Sequence, residues 1–158
     1  MMMSSGSVPR YLEIAEDEIG IKEVKGDKHH PRILEYHDTT TLGNWARSRD
    51  ETPWCSSFIN WCVTKSGLEG TNNALARSWA LWGVEVDEPM PGDIVVLKRR
   101  KRGSDAITGS RAGYHVGIWV RASRGRLRLL GGNQRDAVRY SWYSQRRYEI
   151  KAIRRAAV

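Results

Sequence analysis

DETPWCSSFINWC, residues 50–62, holds both cysteines of a 158-residue chain, and the local structure it adopts decides the fold around it. Thr52 followed by Pro53 reads as a helix start: a hydroxyl to cap free amides, then a residue that has no amide to satisfy. The helix is expected to run to about Ser66, with Gly67 as its stop. Trp54, Phe58 and Trp61 then form one apolar stripe, and Cys55, Ile59 and Cys62 an adjoining one. On a helix the two cysteines stand roughly 10 Å apart at ~1.5 Å per residue, beyond the ~7 Å that a disulfide spans. Zinc pairs on a helix sit three or four residues apart, so this spacing does not suit a metal either. Cys62, two turns in, reads as packing. Cys55 lies in the first turn, against unpaired backbone amides and the positive end of the helix dipole. Those favour a thiolate, with an expected pKa below the ~8.5 of a free cysteine.

The rest of the chain supplies a helical first half and a stranded second half. Ser7 and Pro9 start a helix whose face carries Leu12, Ala15 and Ile19 and which Gly20 ends. A second short helix begins at Pro31 and carries Ile33, Leu34 and His37. Thr39–Arg49 reads as a loop, and a further short helix is expected from about Asn73 to Trp82. After Pro89 the period changes. PMPGDIVVLK, YHVGIWVR, RLRLLGGN, AVRYSWY and YEIKAIRR read as strands, with the basic loop RRKRGSDAITGSRAG (99–113) after the first. The expectation is an α+β fold with N-terminal helices packed on a C-terminal antiparallel sheet. Residues 1–8 are expected to be a flexible N-terminus and residues 9–158 a single domain, by default a monomer.

Net charge is +8, unevenly placed. Residues 1–90 hold 9 Lys/Arg against 14 Asp/Glu, whereas residues 91–158 hold 17 against 4. The basic half points to an anionic partner, and the cluster KRRKR (98–102) to a docking loop. The basic residues follow no motif of known docking geometry on DNA or RNA, so no nucleic acid is expected. The start MMMSSGSVPR has no apolar run of signal-peptide length, so synthesis in a cytoplasm without a signal peptide is expected. Two cysteines are too few for a disulfide scaffold.

A thiolate nucleophile needs a base. Of the four histidines, His115 opens the strand YHVGIWVR. If that strand forms a hairpin with RLRLLGGN through the three-residue loop Ser123–Gly125, Ala122 pairs with Arg126 and His115 falls opposite Asn133. Cross-strand partners have β-carbons ~5 Å apart, close enough for an amide oxygen to hold an imidazole tautomer. Cysteine at a helix start, histidine on a strand and asparagine on its neighbour is the arrangement of papain-like catalysis.

ETPWCSSFINWC, ALARSW, PGDIVVLK, HVGIWV and LLGGNQ, in this order, resemble the papain-like peptidoglycan hydrolases of CHAP type, closest to small phage and prophage endolysins. The likeness covers residues 10–154. It implies Cys55 as nucleophile, His115 as general base and acid, Asn133 as the orienting residue, and cleavage of an amide in the peptide part of bacterial peptidoglycan through an acyl-enzyme. It further implies Trp54 and Gln134 as substrate contacts, with Trp45 and Trp119 as further candidates to line a groove. The Cys55 amide supplies one oxyanion donor. The second is open between Asn44 and a backbone amide. The acidic residues of EVKGDKHHP are too few in register for the calcium loop of some relatives, so neither metal nor cofactor is expected. The basic half would attract anionic envelope polymers, and the enzyme would act on the wall after release from the host cytoplasm. Two rivals remain: an interbacterial effector or wall-remodelling enzyme with the same chemistry, and a non-catalytic basic module binding envelope or nucleic acid.

Overall fold

The computed structural model describes residues 8–24, 29–41 and 53–157. Among the described residues, three α-helices precede the sheet: α1 (Arg10–Asp17), α2 (Pro31–Asp38) and α3 (Cys55–Lys65), followed by a 3-10 helix (Ala76–Leu81). Six strands follow: β1 (Val84–Glu85), β2 (Ile94–Arg99), β3 (Tyr114–Ser123), β4 (Arg126–Gln134), β5 (Ala137–Ser144) and β6 (Tyr148–Arg155). They form one antiparallel sheet in the order β1-β6-β2-β3-β4-β5. The expected α+β architecture, helices on one face of a C-terminal sheet, is the one observed.

The central element is α3. Every residue from Cys55 to Val63 is buried, with α1 and α2 on one side and β3 and β4 on the other. Burial on all sides requires partners for the polar residues in the helix. Ser56 donates to the Asn73 carbonyl at 2.6 Å and accepts from the Trp79 indole at 2.9 Å, Ser57 pairs with His37 Nδ1 at 2.8 Å, and Asn60 donates to the Thr39 carbonyl at 2.9 Å. Their small volumes let α1, α2 and the 3-10 helix approach closely.

Several helix details differ from the sequence expectation. The residue before α3 is Trp54, which makes no side-chain capping bond, and Thr52, Ser7 and the first seven residues lie outside the described residues. Ile19 is 44% exposed because α1 stops at Asp17, one turn short of carrying it inward. Tyr11 takes the inward position instead and donates its hydroxyl to the Gly92 carbonyl at the start of β2. The helix expected over 73–82 is a single 3-10 segment that buries Trp79.

The sheet is covered on both faces. Ile94, Val96, Val116, Ile118 and Leu130 meet the helices. Val95, Leu97, Leu127, Leu129, Tyr143 and Tyr148 form a second cluster on the far face, which Ile107 from the loop after β2 helps to close. Asp105 ties that loop down. It is buried, accepts from the Tyr148 hydroxyl at 2.6 Å and the Ile107 amide at 3.0 Å, and pairs with Arg99 at 3.5 Å.

Strand β4 crosses α3 at Gly132. A β-carbon there would lie 2.7 Å from both Phe58 Cβ and the Trp54 ring. Neither neighbour has room to move, since both are fully buried. Gly132→Ala is expected to cost about 1–3 kcal/mol through overpacking, measured as a lowered midpoint in urea denaturation followed by circular dichroism. An unchanged midpoint would mean that β4 and α3 are not in this close contact.

Candidate active site

Cys55 is the first residue of α3 and is buried, and the backbone amide of Val116, the residue after His115, is among the groups that favour its thiolate. His115 is wholly buried near the start of β3, opposite Leu97 of β2. Helix start and strand start thus bring together the two residues singled out from sequence.

The amide that holds the imidazole is not the expected one. His115 Nε2 is 2.9 Å from Gln134 Oε1, whereas Asn133 makes no recorded bond to the ring. The cross-strand arithmetic explains why. The β3–β4 turn has two residues, Arg124 and Gly125, both at positive φ (51° and 76°), with Ser123 paired to Arg126. A bulge between Trp119 and Arg121 then shifts the register, so that Ile118 pairs with Leu130. Continued, that pairing brings Asn133 level with His115, as expected. A second irregularity, between Gly131 and Gln134, intervenes: Asn133 takes φ 55°, the left-handed region, and the alternation of side chains is broken there. Gln134 occupies the position that a regular strand would give to Asn133. Gly131 leaves it space, since a β-carbon there would fall 2.7 Å from Gln134 Oε1. The run GGNQ therefore divides its work. Gly131 admits the Gln134 amide, Gly132 admits α3, Asn133 turns the strand and Gln134 reaches the histidine.

The hydrogen bonds also set the tautomer. Gln134 Nε2 donates to the carbonyls of Arg139 (2.5 Å) and Leu129 (3.3 Å), so its oxygen must face the ring. His115 Nε2 therefore carries the proton and donates it. The Tyr143 hydroxyl, 3.2 Å from the same nitrogen, offers its oxygen as a second acceptor, with its ring centroid 5.4 Å from the imidazole. That leaves Nδ1 as the basic nitrogen, and Nδ1 is buried with no partner. A free lone pair beside a thiol-bearing helix start is a proton acceptor in waiting.

Gln134 is thus a positioning residue with no amide hydrogen left for substrate. Trp54 is also not a substrate contact. It is wholly buried, stacked on Tyr36 at 5.9 Å, and donates its indole N–H to Glu23 at 2.6 Å. A tryptophan flanking a nucleophile looks like a binding platform in sequence. Here its size is used to wedge the helix start against the core. Trp119 is half-buried in the far-face cluster, and Asn44 and Trp45 lie outside the described residues. Tyr143, Tyr148 and Asp105 were not singled out from sequence. Tyr148 meets Tyr143 edge-on at 5.0 Å and donates to Asp105, which links the loop after β2 to the histidine. Of the three, only Tyr143 carried a signal in sequence, through the alternation of β5. Among the described residues, no three His, Cys, Asp or Glu side chains gather as a metal-ligand set.

Burial reverses the expected electrostatics. It pushes the Cys55 thiol up to about 11, although the amides of Val116, Ser56 and Cys55 pull the other way. It pushes His115 down to about 4, against the opposing pull of Gln134 and of the Asp105 carboxylate. Desolvation of a charge in a closed site outweighs a helix terminus. The resting pair is a neutral thiol and a neutral imidazole.

The fold is the papain-like α+β architecture, with a cysteine at a helix start and a histidine on the sheet against which that helix packs. The family model described as "CHAP domain" matches residues 47–133, more than half of the chain, and the chain belongs to that family. A crystal structure described as similar to lipoprotein, NLP/P60 family, from Staphylococcus aureus subsp. aureus Mu50 shares the fold at a TM-score of 0.53 and 18% identity. The alignment covers 99% of this chain and 46% of that one. No curated protein matches the chain.

Two measurements check the electrostatics. His115 titrates near 6.5 when unfolded and about 4 when folded, so the unfolded chain takes up the proton first. This stability term is complete above pH ~6.5 and is lost as pH falls toward 4. It amounts to roughly 3 kcal/mol, seen as a fall in urea midpoint that a His115→Gln variant lacks. In the native protein, alkylation of Cys55 by iodoacetamide should be slow at pH 7 and climb toward pH 11. Cys62, wholly buried, should react only on unfolding. A rate already level at pH 7 would instead mean a preformed thiolate–imidazolium pair.

Proposed function

We propose that this chain is a peptidoglycan hydrolase of endolysin type that cuts an amide bond in the peptide part of the bacterial wall. The observation that carries this reading is the buried Nδ1 of His115, which has no partner while Nε2–H is held by Gln134, in a fold that also sets Cys55 at the start of α3. Membership of the CHAP domain family supports the substrate class. The likeness to a solved structure of a relative printed as NLP/P60 family supports the fold that carries it.

The chemistry follows from the tautomer. Cys55 Sγ attacks the scissile carbonyl carbon while its proton passes to His115 Nδ1. The neutral resting pair means that proton transfer accompanies attack rather than preceding it. The oxyanion of the tetrahedral intermediate accepts from the Cys55 backbone amide at the helix start. The C–N bond breaks as Nδ1 returns its proton to the leaving amine, which leaves a thioester on Cys55. Water then adds to the thioester, giving its proton to Nδ1. Collapse expels the thiolate, which regains that proton, and frees the new carboxyl product. Through both halves Gln134 keeps the imidazolium oriented and accepts from Nε2–H. The enzyme would be made in a host cytoplasm and reach the wall on release.

Digestion of purified sacculi, with mass spectrometry of the released fragments, tests this reading and identifies the bond. Cys55→Ala and His115→Ala are expected to abolish release. Gln134→Ala should lower kcat by roughly 10–100-fold, because the imidazole loses its tautomer restraint. Asn133→Ala should cost less than Gln134→Ala. Full activity in the Cys55 variant would overturn Cys55 as the nucleophile, and no release by the parent would leave a non-catalytic binding module as the better account.

A further inference from the structure

The same three strands that carry the site carry a second feature at their other end. Arg121 on β3 pairs across the sheet with Arg128 on β4, and Arg128 with Trp142 on β5. The guanidinium carbons of Arg121 and Arg126 each lie 5.0 Å from the Trp142 ring centroid. That of Arg128 lies 5.9 Å from the same ring and 4.5 Å from the Tyr140 ring. Arg121 and Arg126 are exposed, and Arg128 and Trp142 half-buried. Among the described residues, no carboxylate forms an ion pair with any of the three arginines. The acid at the edge of this row, Glu16, accepts from the Tyr140 hydroxyl at 3.0 Å instead. Arg128 Nε is buried and without a partner.

Three like charges around one indole repel one another. The aromatic faces offset part of that cost and hold the guanidinium planes in fixed directions. An anion with several oxygens would remove the remainder. We propose that Arg121, Arg126, Arg128 and Trp142 form a docking site for a phosphate-bearing glycopolymer of the cell envelope, separate from the cleavage site. The proposal rests on the reading that the chain works at the cell wall. Arg121 lies six residue steps along β3 from His115, roughly 20 Å at ~3.3 Å per residue. A polymer gripped here leaves a stem peptide on the same wall free to reach Cys55.

A membrane surface fits less well. The exposed large apolar side chains among the described residues are Ile19, Leu75, Leu81 and Val84, and none is on β3, β4 or β5. A surface-binding element needs apolar anchors beside its charges. The loop 98–102, expected from sequence to dock substrate, is partly committed to the protein itself. Arg99 bonds the Ser104 carbonyl and Asp105, and Arg100 donates to the Gln145 carbonyl at 3.0 Å.

The test is binding in the Cys55→Ala background, which separates capture from cleavage. Probes are sacculi that retain their phosphodiester polymers, the same sacculi stripped with hydrofluoric acid, phosphatidylglycerol vesicles, and double-stranded DNA. Arg121→Gln/Arg126→Gln/Arg128→Gln is compared with Arg100→Gln/Lys101→Gln/Arg102→Gln, which removes equal charge from the loop. Arg121→Gln/Arg126→Gln, at exposed positions only, guards against misfolding of the triple variant. The expected result is at least tenfold weaker binding to unstripped sacculi in both cluster variants and little change in the loop variant. Binding should also fall on stripped sacculi. Equal loss from the loop variant, no loss from the cluster variants, or tighter binding to vesicles or DNA would overturn the proposal. Cleavage of a soluble muropeptide by the parent chain, restored to Cys55, is measured alongside. Its absence would count against the catalytic reading, whereas cluster-dependent polymer binding stands or falls independently.

Discussion

The contact that everything else depends on is the crossing of β4 over the first turn of α3, where Gly132 lies against Trp54 and Phe58. A thiol on a helix and an imidazole on a sheet belong to different layers, and their separation is set by how closely the layers approach. With no side chain at 132, the backbone of β4 rests directly on the helix start. Trp54, wholly buried beneath Tyr36, keeps that start from tilting away. Cys55 is consequently buried at the start of α3, where the helix packs on β3 and β4. The same close approach seals the site, and sealing is what pushes the thiol up and the imidazole down.

The two effects of burial are thus coupled. A drier site disfavours the ion pair at rest but strengthens every hydrogen bond that meets charge as it develops. The protein prepares for that charge with acceptors. Gln134 Oε1 and the Tyr143 oxygen face the one ring N–H, and the Asp105 carboxylate favours the imidazolium from behind Tyr148. Because Asp105 also holds the loop after β2, the order of that loop and the basicity of the histidine share one anchor.

Much of this was legible in sequence, and the misses have identifiable causes. The order of the strands along the chain and the extent of α3 follow from period, from the proline before the helix and from the glycine after it. Gln134 rather than Asn133 reaches the histidine because counting along a strand assumes regular alternation. One residue in the left-handed region breaks it, and Asn is among the few non-glycine residues that tolerate that region. The glycine pair before it hinted at a bulge but did not say where the bulge lies. Trp54 was misread because a large aromatic beside a nucleophile serves equally as platform or wedge, and only burial separates the two. The thiol pKa was misread for a similar reason. The helix terminus is visible in sequence, whereas desolvation belongs to the closed tertiary structure.

The charge asymmetry takes on a different meaning once the strands are paired. In sequence, KRRKR is the densest basic run, and density along the chain suggests a docking loop. In the fold, what matters is density across strands and whether each charge already has a partner. Arg99 pairs with Asp105 and Arg100 donates to the Gln145 carbonyl, so both are drawn into bonds that hold the loop. Arg121, Arg126 and Arg128 are scattered along the chain but converge on one indole. A hairpin with a two-residue turn makes that convergence possible, because it brings Arg121 and Arg128 directly opposite each other. The hairpin thus has two distinct ends. Near its open end, bulges turn an amide toward the histidine. Near its turn, unbroken register stacks like charges around one indole, whose face offsets only part of their repulsion.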